Sequence, residues 1–233
     1  MRSITTTPRT RRVRRIAGGI AVAALVALPI SACGSENDAE AAGSSSSEVA
    51  QSAPEPVAVI EALTGDSTQI TLDKGFLDAL TQLKLTPGTV GEATLEGAEL
   101  SFPITGGNVT VFEPGTVSPY VIGQLQHVSS GLSLSAGGTT VELLNLNVDP
   151  GVSRVYGDVA VNGKVAVESA FLFQLDGRTL NPLQVDGGQA VLEGTEVKIS
   201  EPAAGLLNDT FGTDAVKPGL LVGIAEITVD LPA

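Results

Sequence analysis

Short runs of alternating apolar and polar residues fill the chain from Tyr120 onward. Val, Leu and Thr recur at every second position in segments such as GLSLSAGGTTVELLNLNVDPG and VYGDVAVNGKVAVESAFLFQLDG. A period of two is typical of half-buried β-strands, and short strands at regular spacing favour a sandwich or a barrel. The pattern predicts a mainly β fold, either an antiparallel β-sandwich or a partly closed barrel. Turn-forming residues separate the strands at Gly137-Gly138, Asp149-Pro150-Gly151, Asn162-Gly163, Asp176-Gly177 and Asp186-Gly187-Gly188.

Two stretches depart from this alternation and predict short helices. Residues 74–85 carry apolar side chains at helical spacing, with Asp73 as a plausible N-cap and Pro87-Gly88 as the stop. Residues 201–211 follow Ser200, a plausible cap, and have a proline in the first turn.

The surroundings of the two helices resemble each other. A strand-like segment precedes each helix, at residues 68–72 and 195–199, and a Pro-Gly pair follows each. Either a weak internal duplication or two helices at opposite ends of one sandwich explains this likeness.

The hairpin at Asn162-Gly163 allows a prediction of register. A three-residue loop would pair Val161 with Val165, Val159 with Val167, and Val155 with Phe171, so that apolar residues share one face. A two-residue loop would instead place Val161 opposite Lys164. Because register follows the buried pattern, we predict the three-residue loop.

The amino terminus has the layout of a secretory signal peptide. Six arginines precede an uncharged apolar run, residues 16–30, and small residues follow it. The run is shorter than the ~20 apolar residues of a permanent membrane helix. A twin-arginine signal at Thr10-Arg11-Arg12 is disfavoured, because Arg14 and Arg15 follow where that motif has apolar residues.

The sequence Ile30-Ser31-Ala32-Cys33 resembles the lipobox of bacterial lipoproteins, in which cleavage occurs just before a cysteine that receives a diacylglyceryl group. The resemblance implies that residues 1–32 are a lipoprotein signal peptide and that Cys33, the only cysteine, is the lipidated mature N-terminus. The alternative is an ordinary secretory signal with a chance cysteine. We therefore expect a protein anchored by lipid at the extracytoplasmic face of the cell membrane.

Composition divides the mature chain into a tether and one domain. Residues 33–56 are rich in Ser, Ala, Glu and Pro and predict a flexible linker, whereas residues 57–233 are long enough for a single β-rich domain. Removing residues 1–32 takes away six of 13 basic residues and none of the 26 acidic ones, which leaves a formal charge of −19. Such a charge repels phosphate backbones and argues against a nucleic-acid partner.

The sequence lacks the patterns of catalytic machinery. The only histidine, His127, shares a strand face with Leu125 and Gly123, and a lone histidine of this kind is more often buried and hydrogen-bonded than a ligand or a base. There is no Gly-x-Ser-x-Gly motif, no phosphate loop, no dinucleotide fingerprint and no free cysteine for zinc. Carboxylates are scattered, and the chain has no Trp to line a sugar cleft. We predict no catalytic residue, no metal site and no cofactor.

The stretch from Phe102 to Asp158 resembles secreted actinobacterial β domains related to HtaA-type haem-binding domains. The shared features are a Gly-x-x-x-His that ends at His127, a Gly-Leu shortly after it, and a strand that ends near Asp149. HtaA-type domains hold haem iron through a tyrosine near their first helix. Residues 74–85 contain no tyrosine, so His127 is the only candidate for cofactor binding that the resemblance leaves. The Ala-, Gly- and Val-rich composition also suits an actinobacterium.

Two roles remain for the domain. We favour a surface or partner-binding module, in which a sheet face or the loops at 114–120 and 149–154 contact an unknown envelope protein or glycan. The alternative is a carrier of an apolar ligand, such as a lipid or haem, held between the sheets or beneath the helices. The preference rests on small aliphatic side chains, which pack without large voids, whereas ligand pockets are usually lined with aromatic residues.

Overall fold

The alternating segments form a mainly antiparallel β fold with two helices, as the sequence predicts. The computed structural model describes residues 53–63 and 65–231. The proposed signal peptide, Cys33 and most of the linker lie outside the described residues. The strands are β1 (Pro56–Ile60), β2 (Ser67–Leu72), β3 (Thr86–Gly91), β4 (Thr94–Glu96), β5 (Glu99–Pro103), β6 (Gly106–Phe112), β7 (Val121–Ala136), β8 (Thr139–Asp149), β9 (Arg154–Val161), β10 (Lys164–Asp176), β11 (Gln184–Asp186), β12 (Gln189–Ile199) and β13 (Leu221–Asp230); the helices are α1 (Lys74–Leu83) and α2 (Glu201–Phe211), with 3-10 turns at Pro150–Val152 and Gly177–Thr179.

The strands belong to one sheet that curls on itself. Their order is β1-β6-β7-β8-β9-β10-β12-β13-β2-β5-β4, with β11 added to β12 and β3 added to β7. Strand β3 pairs with the C-terminal half of β7, and β4, the last strand in the order, follows β3 after only two residues. The chain thereby connects β7, the third strand in the order, to β4 at the other end. The sheet forms a half-barrel, within the predicted class of sandwich or partly closed barrel.

Both helices begin at the predicted caps. The Asp73 carboxylate accepts hydrogen bonds from the backbone N–H groups of Gly75 and Phe76, and the Ser200 hydroxyl oxygen accepts one from Ala203. These bonds satisfy N–H groups that the first turn of a helix leaves without partners. Helix α1 ends two residues earlier than predicted, because Lys84 adopts a left-handed conformation and closes it. The predicted stop, Pro87-Gly88, lies inside β3.

The two helices follow strands that flank the same neighbour. Strands β2 and β12 both pair antiparallel with β13, and Leu72 and Val197, near the C-terminal ends of the two strands, both lie opposite Gly223. Both helices therefore start from one end of the sheet, and the alternative of two helices at opposite ends is wrong. The repeated strand–helix unit is arranged around one shared strand.

A row of β-bulges crosses four neighbouring strands. Ser129 on β7, Asn145 on β8 and Ser169 on β10 have positive φ angles of 60°, 54° and 49° at successive register shifts. Asn145 accepts a hydrogen bond from the Ser129 N–H through its side-chain oxygen and donates one through its amide to Asp158 on β9, which also accepts the N–H of Ser169. Because bulges bend strands and increase their twist, this row helps to curl the sheet.

The predicted register of the β9–β10 hairpin is wrong at the turn. Val161 lies opposite Lys164, so the loop has two residues, Asn162 and Gly163, with φ angles of 51° and 74°. Positive φ at both positions is the geometry of a type I′ turn, which Asn-Gly favours. Bulges further along β10 shift the register, so that Val159 faces Val167 as predicted, but Val155 faces Phe173 rather than Phe171. The bulges, and not the turn, keep the apolar residues on one face.

Candidate ligand-binding site

The inner face of the curled sheet surrounds a cavity of about 130 Å³. Alternate residues of a strand point to the same side, so each strand contributes its apolar positions to this face. Three polar residues, Thr68, His127 and Thr195, also line the cavity. Its aliphatic lining includes Leu100, Leu125, Leu146, Val155, Val197 and Ala225.

This cavity is larger than the voids of ordinary cores. Protein interiors contain few voids larger than a water molecule. Apolar cavities stay dry, and one of ~150 Å³ is large enough to bind benzene. The lining is aliphatic rather than aromatic. We expected such small side chains to fill the interior, but they leave this cavity open. The cavity is therefore suited to a narrow apolar guest.

A connecting segment covers the end of the cavity away from the helices. We call residues 177–183 the strap; its Leu180 and Leu183 line the cavity. The Thr179 hydroxyl donates a hydrogen bond to the carbonyl of Gly194 at 2.5 Å, and the Asn181 N–H donates one to the carbonyl of Glu193 at 2.8 Å. The strap is thus fastened along the N-terminal half of β12, whereas α2 follows the C-terminal end of β12.

An ion-pair network holds the first residues of the strap. The Asp176 carboxylate accepts hydrogen bonds from the side chains of Arg178 and Lys198. The hydrogen bonds from Arg178 and then from Lys198 hold the pKa of Asp176 well below its usual range. Lys198 also pairs with Glu196 at 2.7 Å. These charges satisfy one another at the surface, where such pairs contribute little to stability.

A second cavity, of about 240 Å³, lies beneath α2. The helix supplies Ala203, Leu206 and Leu207, and strands β9 and β10 supply Val159 and Val167. No charged side chain lines either cavity in the part of the chain that the structure describes. We call this second space the α2 groove.

His127 is buried between strands that are not neighbours in the sheet order. Its side chain is 1% exposed. Nδ1 lies 2.9 Å from the carbonyl oxygen of Pro103 on β5, and Nε2 lies 3.2 Å from the Thr68 hydroxyl on β2. Because a carbonyl only accepts, Nδ1 carries the proton, and Nε2 of the neutral ring accepts from the hydroxyl of Thr68. The ring therefore ties β7 to β5 and β2.

Burial governs the titration of His127. Desolvation lowers the pKa of the imidazole, and the hydrogen bond to the Pro103 carbonyl opposes that shift. The Phe102 ring, with its centroid 6.0 Å from that of His127, adds a further apolar neighbour. The imidazole is therefore held neutral in a dry site.

The residues present do not fit a haem-iron site. Both nitrogens of His127 are already hydrogen-bonded inside the sheet, so neither presents a free lone pair to a metal. Burial raises the pKa of Tyr120, which disfavours the phenolate form that would bind iron. The hydroxyl of Tyr156 accepts a hydrogen bond from Arg154 at 3.3 Å. A porphyrin is also much larger than the benzene-sized space inside the sheet.

The other polar cluster near the sheet ends consists of hydrogen bonds between side chains. Gln189 donates hydrogen bonds to Asp66 and Asp230 near the ends of β2 and β13. Within the described residues, no group of three or more His, Cys, Asp or Glu side chains is arranged to hold a metal ion. Across the same residues, no helix is both long enough and apolar enough to cross a membrane.

Comparison with known proteins shows similarity at the level of fold. No protein-family model and no curated protein matches the chain. The chain is similar to the crystal structure of the C-terminal domain of HtaA from Corynebacterium glutamicum, with a TM-score of 0.51 and 14% identity over 75% of this chain and 99% of that domain. A domain-swapped dimer of a variant of that domain gives a TM-score of 0.43 and 14% identity, over 68% of this chain and 91% of the other. The first likeness supports the fold resemblance seen between Phe102 and Asp158.

Of the two site residues predicted from the sequence, Cys33 and His127, the structure describes only His127, and it adds Thr68 as the partner of that histidine. Cys33 lies outside the described residues, and the structure places His127 in the cavity wall. Sequence reasoning missed Thr68, the partner of His127. A signal for it exists, because Thr68 alternates with Ile70 and Leu72 on the inward face of β2, where a polar residue needs a buried partner.

Proposed function

We propose that the domain is a non-enzymatic module that binds an apolar chain inside its curled sheet. The observation that carries this proposal is the cavity of about 130 Å³ with an almost wholly aliphatic lining. The sequence pattern favours a partner-binding surface, because small aliphatic residues are expected to fill the core. A single sheet that curls on itself leaves space along its axis, and this space changes the preference.

The lining chemistry supports an uncharged, narrow ligand. The cavity is smaller than the ~300–1,000 Å³ typical of pockets for drug-sized molecules. An apolar guest in such a space is held by burial of its surface, at about 25 cal/mol per Å². The three polar lining residues offer little recognition, since Thr68 and His127 already bond to each other.

The test is a calorimetric titration of residues 34–233, the mature chain without the lipidated Cys33, with 1-decanoylglycerol. Ala225 is buried and lines the cavity, so Ala225→Phe fills it, whereas Ala215→Phe puts the same ring on an exposed position. We expect saturable binding by the wild type and by Ala215→Phe, and at least a tenfold loss in Ala225→Phe that retains its circular dichroism. Absence of saturable binding by the wild type, or equal binding by both variants, contradicts the proposal.

Haem is the ligand that the family resemblance implies, and we expect that the domain does not bind it. A haem titration of the wild type should give no saturable Soret band, because His127 has no free nitrogen. A saturable band that disappears in His127→Ala would establish haem binding instead.

A second candidate function, partner binding, is favoured by one exposed apolar row. Val59 on β1 lies opposite Thr110 on β6, which lies opposite Ile122 on β7. Val57 and Val152 are also exposed large apolar residues, and Val152 belongs to one of the two loops singled out from the sequence. An envelope protein that covers this face would lose affinity on substitution of Val59 by Asp, with apolar-chain binding unchanged.

The anchor completes the proposed function. A lipid on Cys33 would hold the acidic domain at the extracytoplasmic face of the cell membrane through the linker at 33–56. The protein should partition into detergent, and Cys33→Ala should leave it unprocessed or released. If the variant remains in the membrane at mature size, the lipobox assignment fails.

A further inference from the structure

The interior cavity and the α2 groove share a wall of two side chains. Leu143 on β8 and Phe173 on β10 line both spaces. Phe173 is half-buried and lies opposite Val155, another lining residue of the interior cavity. Leu143 and Phe173 thus border both spaces, and side chains change rotamer without any change in the backbone.

The α2 groove opens to solvent along a free stretch of β10. Strand β12 pairs with β10 only from Phe173 to Asp176, so among the described residues no strand lies beside residues 164–170 of β10 on that side. Val167 on β10 is 40% exposed, and Leu206 on α2 is half-buried. Both residues line the α2 groove, one from each element.

The volumes of the interior cavity and the α2 groove indicate that one ligand occupies both. Neither cavity alone reaches the ~300 Å³ at which ligand pockets usually begin. The volumes of about 130 Å³ and about 240 Å³ together exceed that value. A ligand that occupies both must be long and thin, because it passes between Leu143 and Phe173.

We propose that the ligand is a single unbranched alkyl chain that runs from the interior cavity, past Leu143 and Phe173, into the α2 groove. This inference rests on the proposed function and names its ligand class: an uncharged single-chain amphiphile. Sterols and haem are much larger than the interior cavity of about 130 Å³, which is benzene-sized. A head group of either charge would meet no lining residue of opposite charge, and an anionic one would also be repelled by the overall acidic chain.

The test measures how affinity depends on chain length. The protein without its lipidated residue, residues 34–233, is titrated by calorimetry with 1-monoacylglycerols of about six to about sixteen carbons, below their critical micelle concentrations. Transfer of each methylene from water to an apolar site tightens binding about threefold to fourfold. In the wild type, we expect this tightening to continue into the longer chains.

Variants of α2 separate the two spaces. Ala203 is buried and lines the α2 groove, so Ala203→Phe should fill it, leave short-chain affinity unchanged and stop the tightening at a shorter chain. Leu206→Trp, at the half-buried mouth, should do the same if Ala203→Phe does not fold. Asp209→Phe is the control, since residue 209 is exposed on the same helix.

The outcomes distinguish this inference from the function on which it rests. If the wild type binds no chain of any length, the proposed function fails. If the wild type binds short chains but its affinity stops rising at the same length as in Ala203→Phe or Leu206→Trp, the interior cavity acts alone and only the inference is overturned. A plateau that appears in these variants and not in Asp209→Phe supports it.

Discussion

Thr68 and His127, 59 residues apart in the sequence, meet inside the sheet at 3.2 Å between Oγ1 and Nε2. Both side chains are buried, and Nδ1 of the same ring bonds to the carbonyl of Pro103. The only histidine of the chain thereby joins β7 to β2 and β5, which lie toward the opposite end of the strand order. This contact closes the half-barrel beside the cavity.

Replacement of the Thr68 hydroxyl should weaken this closure. Thr68→Val keeps the shape of the side chain and leaves Nε2 of His127 without a donor, at a cost of about 1–3 kcal/mol for an unsatisfied buried group. Urea unfolding followed by circular dichroism measures the loss. Thr68→Ser retains the hydroxyl and should keep most of the hydrogen-bond contribution. Equal stability of Thr68→Val and the wild type would show that the hydrogen bond is unimportant.

Stability should fall as the pH drops below the ordinary histidine value of about 6.5. Burial lowers the pKa of His127 in the folded chain, so between that lowered pKa and 6.5 the unfolded chain takes up a proton that the folded chain does not. The stabilisation is complete above 6.5 and is lost, by at most about 1.4 kcal/mol per pH unit, as the pH falls toward the folded pKa.

The control for this pH dependence is His127→Gln. Phe102, Pro103 and Thr68, which surround the ring, do not titrate in this range, and histidine is the side chain whose ordinary pKa lies there. The variant should show a flatter stability profile between pH 6.5 and the onset of carboxylate titration. Identical slopes for the two proteins would rule out His127 as the cause.

Asp158 should support the row of bulges. Its carboxylate accepts hydrogen bonds from the Asn145 side chain and from the Ser169 N–H, and these bonds lower its pKa in that order of importance. Asp158→Ala should therefore destabilise the domain at neutral pH, whereas Glu168→Ala, at an exposed position on β10, should not.

The pH profile gives the sign of this effect. A lowered carboxyl pKa stabilises the fold above the ordinary value of about 3.9, and the contribution disappears as the pH falls through the folded pKa. The stability difference between the wild type and Asp158→Ala should be constant near neutrality and shrink in acid. A difference that persists unchanged in acid would mean that the ionised carboxylate is not the source.

Gly194 should be required where the strap crosses β12. Its φ is +107°, and a Cβ at this position would lie 2.4 Å from the carbonyl oxygen of Thr179. Gly194→Ala combines a rare backbone conformation with this close contact and should cost about 1–3 kcal/mol. Gly205→Ala is the matched control: residue 205 lies on α2 with open space around it, and alanine there should stabilise the helix by about 0.5–1 kcal/mol. Equal effects of the two changes would contradict the fastening of the strap.

Local signals in the sequence were sufficient for the fold class, the helices and their caps. Asp73 and Ser200 cap their helices through bonds to residues two or three positions away, so a short window of sequence contains the whole interaction. The turns at Gly137-Gly138 and Asp186-Gly187-Gly188 are local in the same way. Burial of His127 agrees with the role we considered commonest for a lone histidine on a strand.

Register and closure could not be predicted in the same way. The predicted register of the β9–β10 hairpin was wrong at Lys164, because the preference of Asn-Gly for a tight turn outweighed the apolar pattern. Bulges further along β10 then shift the register and bring apolar residues opposite one another again. Those bulges depend on contacts such as that between Asn145 and Asp158 on neighbouring strands. The cavity depends on the curl of the whole sheet, so no single segment predicts it.

Native mass spectrometry of residues 34–233, exported from the source organism behind a cleavable secretory signal and purified without detergent, tests apolar-chain binding most directly. The account predicts a population carrying the additional mass of one single-chain lipid. It also predicts that this mass is absent from Ala225→Phe and present in Ala215→Phe. A bare polypeptide mass for the wild type, or an adduct that Ala225→Phe retains, would contradict it.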